Sequence, residues 1–219
     1  VVSFNVEYGR AVEPALDVLL GAPVLAGADV VLLQEMDDRG TRLIAEGLGM
    51  AWVYHPATRR GEPPQDFGNA VLSRWPIVAD EKLVLPHRSI FGRTLRTATV
   101  ATIQVGRTPV RVYSVHLATR VNQAFPERAD QMRAVLRDAS THPHVILGGD
   151  LNSTRLGGFA AARGYYWPTE EGPSTATFGR IDHVFMKGFE PAEGVGSGTV
   201  EIPEGVSDHR PVWAAGVLR

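Results

Sequence analysis

Short apolar runs rich in Val, Ile and Leu recur along the whole chain, and this rhythm constrains the fold more than any other feature. They fall at Val30–Leu33, Ala70–Leu72, Thr97–Ile103, Val110–Val115, His144–Leu147, Ile181–Met186 and Pro211–Val217. Runs of this length, bounded by turn-forming residues, read as mostly buried strands. Helical spacing separates some of them: Val12–Leu25 carries apolar residues three to four apart, Arg42–Leu48 does so more briefly, and Asn122–Asp138 is amphipathic with a charged outer face. From Phe67 to Val115 the gaps shrink to turn size, as at Gly106-Arg107-Thr108-Pro109, which favours antiparallel pairing. A first third that alternates strand and helix, followed by hairpin-like spacing, predicts an α+β chain with two mixed sheets packed face to face and helices outside.

The chain has 219 residues, within the range in which two packed sheets form one unit, so a single domain over 1–219 is expected. With 44% hydrophobic and 21% charged residues it has the apolar surface for a sizeable core, which excludes a disordered chain. The formal charge of −2 gives no global positive field for a polyanion, so nucleic acid is a possible partner that charge does not favour. A bound divalent cation would supply local positive charge that this count omits. There is no cysteine, which removes disulfide, thiolate–metal and cysteine-nucleophile chemistry together.

No apolar run approaches the roughly 18 residues of a membrane-spanning helix, and no basic-then-apolar signal segment opens the chain. Val1–Val6 already reads as a strand, so native residues are expected to precede it, and the compartment stays open between cytoplasm and secretion. A monomer is expected. Thr58–Asp66 and Gly164–Gly179, rich in Gly, Pro and polar residues, are candidate surface loops near a site.

Residues of catalytic type stand at the ends of the predicted strands, where a buried acid would be destabilising without a partner or a function. They are Asn5 in Ser3-Phe4-Asn5-Val6, Glu35 closing Val31-Leu32-Leu33-Gln34-Glu35, and His116 in Ser114-Val115-His116-Leu117. Further along come Asp150 and Asn152 in Gly148-Gly149-Asp150-Leu151-Asn152, Asp182 in Arg180-Ile181-Asp182-His183, and Asp208 with His209 in Ser207-Asp208-His209-Arg210-Pro211. Asp150 and Asn152, two apart on an extended chain, point to the same side. At these residues, from Ser3 to Val212, the chain resembles the endonuclease/exonuclease/phosphatase superfamily. That superfamily includes deoxyribonucleases, repair nucleases, neutral sphingomyelinases and inositol polyphosphate 5-phosphatases. Each motif alone is weak; all of them in the family's order, each after an apolar strand, make a specific signal.

The resemblance implies a four-layer α/β/β/α sandwich of the deoxyribonuclease I-like kind and a Mg²⁺-dependent phosphoesterase, with Mn²⁺ able to substitute. It makes Glu35 the main metal ligand, consistent with a hard cation's preference for carboxylate oxygen. Asn5 helps to hold that cluster, and Asp208 meets the metal directly or through water. Asp150 orients or deprotonates the attacking water, and Asn152 donates to a phosphate oxygen. Asp182 orients His209, which removes the water's proton or stabilises the developing charge. His116 protonates the leaving oxygen or binds the phosphate; repair nucleases typically carry tyrosine there, which tilts the reading away from abasic-site repair. Asn69 in Gly68-Asn69-Ala70-Val71-Leu72-Ser73-Arg74 supports the metal cluster or meets substrate. Arg96 is either a guanidinium fork for phosphate or an arginine in an exposed ion pair.

His183 takes no role in this scheme, and His55, His87, His142 and His144 lack metal-ligand spacing, so they read as structural. Ser73 and Ser207 lack the Gly-x-Ser-x-Gly elbow of a serine nucleophile. The preferred substrate is a small or lipid phosphoester, because the chain has no basic arm or aromatic stacking platform. A nuclease is the alternative, with Arg59-Arg60, Arg88, Arg93 and Arg96 as a local basic rim. A fold that has lost catalysis and only binds is the third reading.

Overall fold

Alternation along each strand decides which side chains meet between the sheets. A computed structural model describes residues 1–60, 65–91 and 94–219. One sheet comprises β1 (Val2–Asn5), β2 (Val30–Met36), β3 (Ala51–Arg60), β4 (Gln65–Ser73), β11 (Ser197–Thr199) and β12 (Val212–Ala214), in the order β11-β12-β1-β2-β4-β3. The other comprises β5 (Ile77–Val84), β6 (Thr97–Val105), β7 (Thr108–His116), β8 (Val145–Asp150) and β9 (Asp182–Lys187), in chain order. The pairs β1–β2 and β7–β8 are parallel, and the other neighbours in both sheets are antiparallel. A two-stranded sheet joins β10 (Phe189–Pro191) to β13 (Gly216–Leu218).

Three apolar clusters fill the spaces between layers. Val31, Leu33, Ala70 and Leu72 pack against α1 (Val12–Gly21), α2 (Pro23–Ala26) and α3 (Asp38–Leu48). Tyr113, Val115, Leu147 and Phe185 pack against α4 (Phe125–Asp138) and α5 (Gly158–Ala161). Val30, Leu32, Val71, Val112, Ile146 and Val184 lie between the sheets. The order helix, sheet, sheet, helix is the expected one. Among the described residues, no helix is long and apolar enough to cross a membrane.

Several boundaries differ from expectation for local reasons. The helix expected over Val12–Leu25 breaks at Gly21, because Ala22 is extended ahead of Pro23, which disfavours helix in the residue before it. Asp37 accepts from the Gly40 amide at 2.6 Å and starts α3, while Gly49 ends it at φ 64°. Pro211–Val217 is not one strand: it divides between β12 and β13, which belong to different sheets. The loop expected over Thr58–Asp66 is largely the ends of β3 and β4, with 61–64 outside the described residues.

The inner face of each strand turns from apolar to polar toward one end of the sandwich. Val30 and Leu32 are followed on that face by Gln34, and Val110 and Val112 by Ser114 and His116. Met186 and Val184 lead back to Asp182, and Ile146 leads past Gly148 to Asp150. Register then aligns these ends: Asn5 stands opposite Gln34 and Gln34 opposite Asn69 in one sheet, His116 opposite Asp150 and Asp150 opposite Asp182 in the other. Two rows of polar groups from distant parts of the sequence therefore face each other across the end of the apolar core.

Candidate active site

Beneath this end, a polar ladder ties the sheets together. The Ser3 hydroxyl donates to Gln34 Oε1 at 3.3 Å, Gln34 Nε2 donates to Ser114 Oγ at 3.0 Å, and Ser114 Oγ donates to the Leu33 carbonyl at 3.0 Å. Asn69 and Thr99 add a reciprocal pair, with Asn69 Nδ2 donating to the Thr97 carbonyl and Thr99 Oγ1 to the Asn69 carbonyl. The buried Asn69 side chain thus bridges β4 and β6. Buried polar groups matched in this way fix how the sheets align, because any displacement leaves them without partners.

Glu35 reaches the cluster through a local distortion. It is not the end of β2 but the extra residue of a bulge, since Gln34 pairs with Asn69 and Met36 with Gly68. Its φ of 60° is uncommon for a residue with a Cβ and is held there by its surroundings at a cost of about 1–3 kcal/mol. The bulge lets Gln34 and Met36 both stay buried while Glu35 turns toward Asn5. Tyr8 N donates to Glu35 Oε2 at 3.2 Å and Asn5 Nδ2 to Glu35 Oε1 at 3.4 Å. Burial raises the Glu35 pKa above the usual carboxylate value against this hydrogen bond and the positive charge of Arg96.

Asp150 sits at the centre. Asn5 Nδ2 lies 3.2 Å from its Oδ2, His116 Nε2 3.3 Å and His209 Nε2 3.9 Å, while the Asn152 amide donates to Oδ1 at 2.7 Å. Asn152, at φ 50°, also gives its side-chain NH₂ to Asp150 Oδ2 and the Leu117 carbonyl. Burial, followed by the negative charge of Asp182, pushes the Asp150 pKa up to about 7. His209 Nδ1 is 2.8 Å from Asp182 Oδ2, which also accepts from the Thr175 hydroxyl at 2.6 Å. Burial alone would lower the pKa of His209, but Asp182, with Asp150 and Asp208 behind it, outweighs burial and lifts it to about 10.

The loop carrying His209 is pinned on both sides. Ser207 Oγ donates to the Asn5 carbonyl and accepts from the His209 amide, and the Arg210 amide donates to the Thr175 carbonyl. Asp208 is exposed at the rim, 4.0 Å from His209 Nε2. The positive charge of Arg96 is felt by both Glu35 and Asp150.

Asp150, Asp182 and His209 are buried, and their ligand atoms lie within 4.8 Å of one another, an arrangement that can hold a metal ion. The donor set fits a hard divalent cation: the acids are buried close together, Glu35 and Asp150 have raised pKa values, and the buried Asp182 Oδ1 has no hydrogen-bond partner.

Asn5, Glu35, His116, Asp150, Asn152, Asp182 and His209 are thus brought together, with Asp208 at the rim. Of the basic rim expected for a nuclease, Arg59 lies against Asp66, while Arg93 and the Arg60 side chain fall outside the described residues. Thr175, which holds Asp182, carries no sequence signal because its role depends on a loop folding back over β9.

The family model described as "Endonuclease/Exonuclease/phosphatase family" matches residues 2–209. No protein with a curated description matches the sequence. Among solved structures, an endonuclease/exonuclease/phosphatase family protein from Bacteroides thetaiotaomicron superposes with a TM-score of 0.75 at 16% identity, covering 100% of this chain and 97% of that one. A mannosyl-6-phosphatase from Bacteroides thetaiotaomicron VPI-5482 gives 0.73 at 17% identity, covering 99% and 98%. Sphingomyelinase C from Streptomyces griseocarneus gives 0.67 at 20% identity, again covering 99% and 98%.

Proposed function

Because the chain belongs to the endonuclease/exonuclease/phosphatase family and is therefore a hydrolase of ester bonds, we propose that it cleaves a phosphoester by in-line attack of water with Mg²⁺ or Mn²⁺ bound. The observation that carries this reading is the junction of Asn5 and Glu35 from one sheet with Asp150 from the other through a single amide. Glu35 and Asn5 would hold the cation, with Asp208 at its edge, leaving Asp150, Asp182 and His209, which stand close enough to hold an ion themselves, to the water and the phosphate; when bound, the cation neutralises charge on the phosphate.

The chain's own groups divide the remaining work. Asp150, whose pKa burial pushes up to about 7, is basic enough to take the proton from water. His209, kept protonated at neutral pH by Asp182, stabilises the negative charge that develops on the phosphoryl oxygens. His116, buried beside Asp150, meets the leaving oxygen or the phosphate, and Asn152 orients Asp150 and offers a donor to a phosphate oxygen. Arg96 adds positive charge on the substrate side. Asn69, committed to the bridge between sheets, supports the metal cluster from below.

A small or lipid phosphoester is the preferred substrate class. Structural neighbours named mannosyl-6-phosphatase and sphingomyelinase C support it, and so does the net charge of −2. A panel of sugar phosphates, lipid phosphodiesters and nucleic acids assayed with Mg²⁺ and Mn²⁺ tests the assignment. Glu35→Gln and His209→Asn are expected to lower kcat by roughly 10²–10⁴-fold while leaving the circular dichroism spectrum unchanged. Metal-independent turnover, or full activity in both variants, would overturn the proposal.

A further inference from the structure

Adjoining the Asp150 cluster is a second cavity of about 460 Å³. Its wall includes Arg120, Arg128, Arg155, Phe125, Phe178 and Asn152, and contains neither Asp nor Glu. Asn152 belongs to both places, since its side-chain amide donates to Asp150 Oδ2 at 3.2 Å while the residue lines the cavity. Elsewhere Arg10, Arg59, Arg111, Arg133 and Arg210 each stand against a carboxylate. Among the described residues, the three arginines of this cavity form no such pair.

Each of the three is held in place by something other than an anion. Arg120 lies over the Phe178 ring at 5.5 Å and Arg155 over the Phe125 ring at 4.9 Å. Arg128 is only 7% exposed; its Nη1 donates to the Asn152 carbonyl at 2.9 Å, while its buried Nε has no hydrogen-bond partner. Burial and the neighbouring charge of Arg120 both disfavour the Arg128 cation. Pre-placed guanidinium forks without a counter-ion are suited to planar, paired contacts with phosphate oxygens.

We propose that this cavity is a specificity subsite that receives a second phosphate group of the same substrate, beside the phosphate attacked at Asp150. The proposal deepens the phosphoesterase reading and rests on it. The volume exceeds that of one phosphate, leaving room for part of the group that carries it, and Phe125 and Phe178 give that part an apolar wall. Such a phosphate has two possible sources: the next phosphodiester of an oligonucleotide, or the second phosphate of a small polyphosphorylated metabolite.

The test has a binding arm and a kinetic arm. Arg120 and Arg155 are exposed, so Arg120→Gln/Arg155→Gln removes two charges without opening the core. In the binding arm, inorganic phosphate is titrated into the full chain in EDTA and followed calorimetrically. Since the two guanidinium groups supply charged hydrogen bonds to the anion, the double variant is expected to bind at least about tenfold more weakly. Equal phosphate affinity in the two proteins would overturn the subsite.

In the kinetic arm, 5′-phosphorylated dithymidylate is compared with its unphosphorylated form, and a sugar bisphosphate with the matching monophosphate, all with Mg²⁺. Wild type should favour the doubly charged member of one pair by about tenfold in kcat/KM, and the double variant should lose most of that preference. The pair that shows the effect identifies the source. Equal rates for both members of both pairs would also overturn the proposal. Absence of all turnover would instead remove the catalytic reading, with the phosphate titration still deciding whether the cavity binds anions.

Discussion

Asp182 and His183 are sequence neighbours on β9 that face opposite layers, and the physics of each follows from its side of the sheet. Asp182 looks between the sheets and holds His209, whereas His183 looks outward into an aromatic group formed with Trp167 and Phe185. Trp167 Nε1 donates to His183 Nδ1 at 3.3 Å, which requires an unprotonated Nδ1, and burial lowers the His183 pKa to about 4. The folded state therefore binds this proton less readily than the unfolded chain, whose histidine titrates near 6.5. Stability from this group is complete above about pH 6.5 and is lost as pH falls toward 4, by roughly 3 kcal/mol. His183→Phe, which keeps a ring in the aromatic group, should flatten that part of the curve. Urea melts of the two proteins at a series of pH values between these limits would measure it, and parallel curves would refute the account.

At the scale of elements, the Gly148-Gly149 pair ending β8 determines how closely the strands and sheets approach. A Cβ on Gly148 would lie 2.8 Å from Leu32 Cδ1 across the gap and 2.9 Å from the His183 carbonyl. Gly149, at φ 141°, would place one 1.9 Å from the Val115 carbonyl of the paired strand, where neither atom can yield. Gly149→Ala is therefore expected to destabilise the fold by about 3 kcal/mol or more, and Gly148→Ala by about 1–3 kcal/mol. Thermal melts rank the two, and a Gly149→Ala protein as stable as wild type would contradict the reading. The same elements show what was legible beforehand. Buried runs such as Val110–Val115 announced central strands, and the acids and imidazoles at their ends announced the site. The strands β3 and β5 carry no such signal, because each lies at a sheet edge, half-solvated or exposed, with no continuous apolar run. The bulge at Glu35 was hidden for another reason: its left-handed backbone depends on Asn69 and Gly68 of the partner strand, not on neighbours in sequence.

For the whole molecule, the location of the acids couples ligand binding to stability. Glu35 and Asp150 come from different sheets, and the penalty of burying their charge, only partly offset by Arg96 and His209, raises their pKa values. A cation bound only by the folded chain would relieve that penalty and link the two layers. At about a hundredfold excess over its dissociation constant, Mg²⁺ should add roughly 2.7 kcal/mol, raising Tm by about 5–10 °C. Glu35→Gln should lose most of this rise, and a scan with Mg²⁺ against EDTA would show it; an equal rise in both proteins would locate the ion elsewhere. The arginine cavity was legible only after folding, because Arg120, Arg128 and Arg155 meet through the junction of a helix and two loops. Finally, the amide of Asn5 spans the seam, touching a carboxylate of each layer. A shear of even an ångström between the sandwich halves would part those contacts while leaving every strand paired, so gentle warming or dilute denaturant should silence this enzyme well before its secondary structure melts.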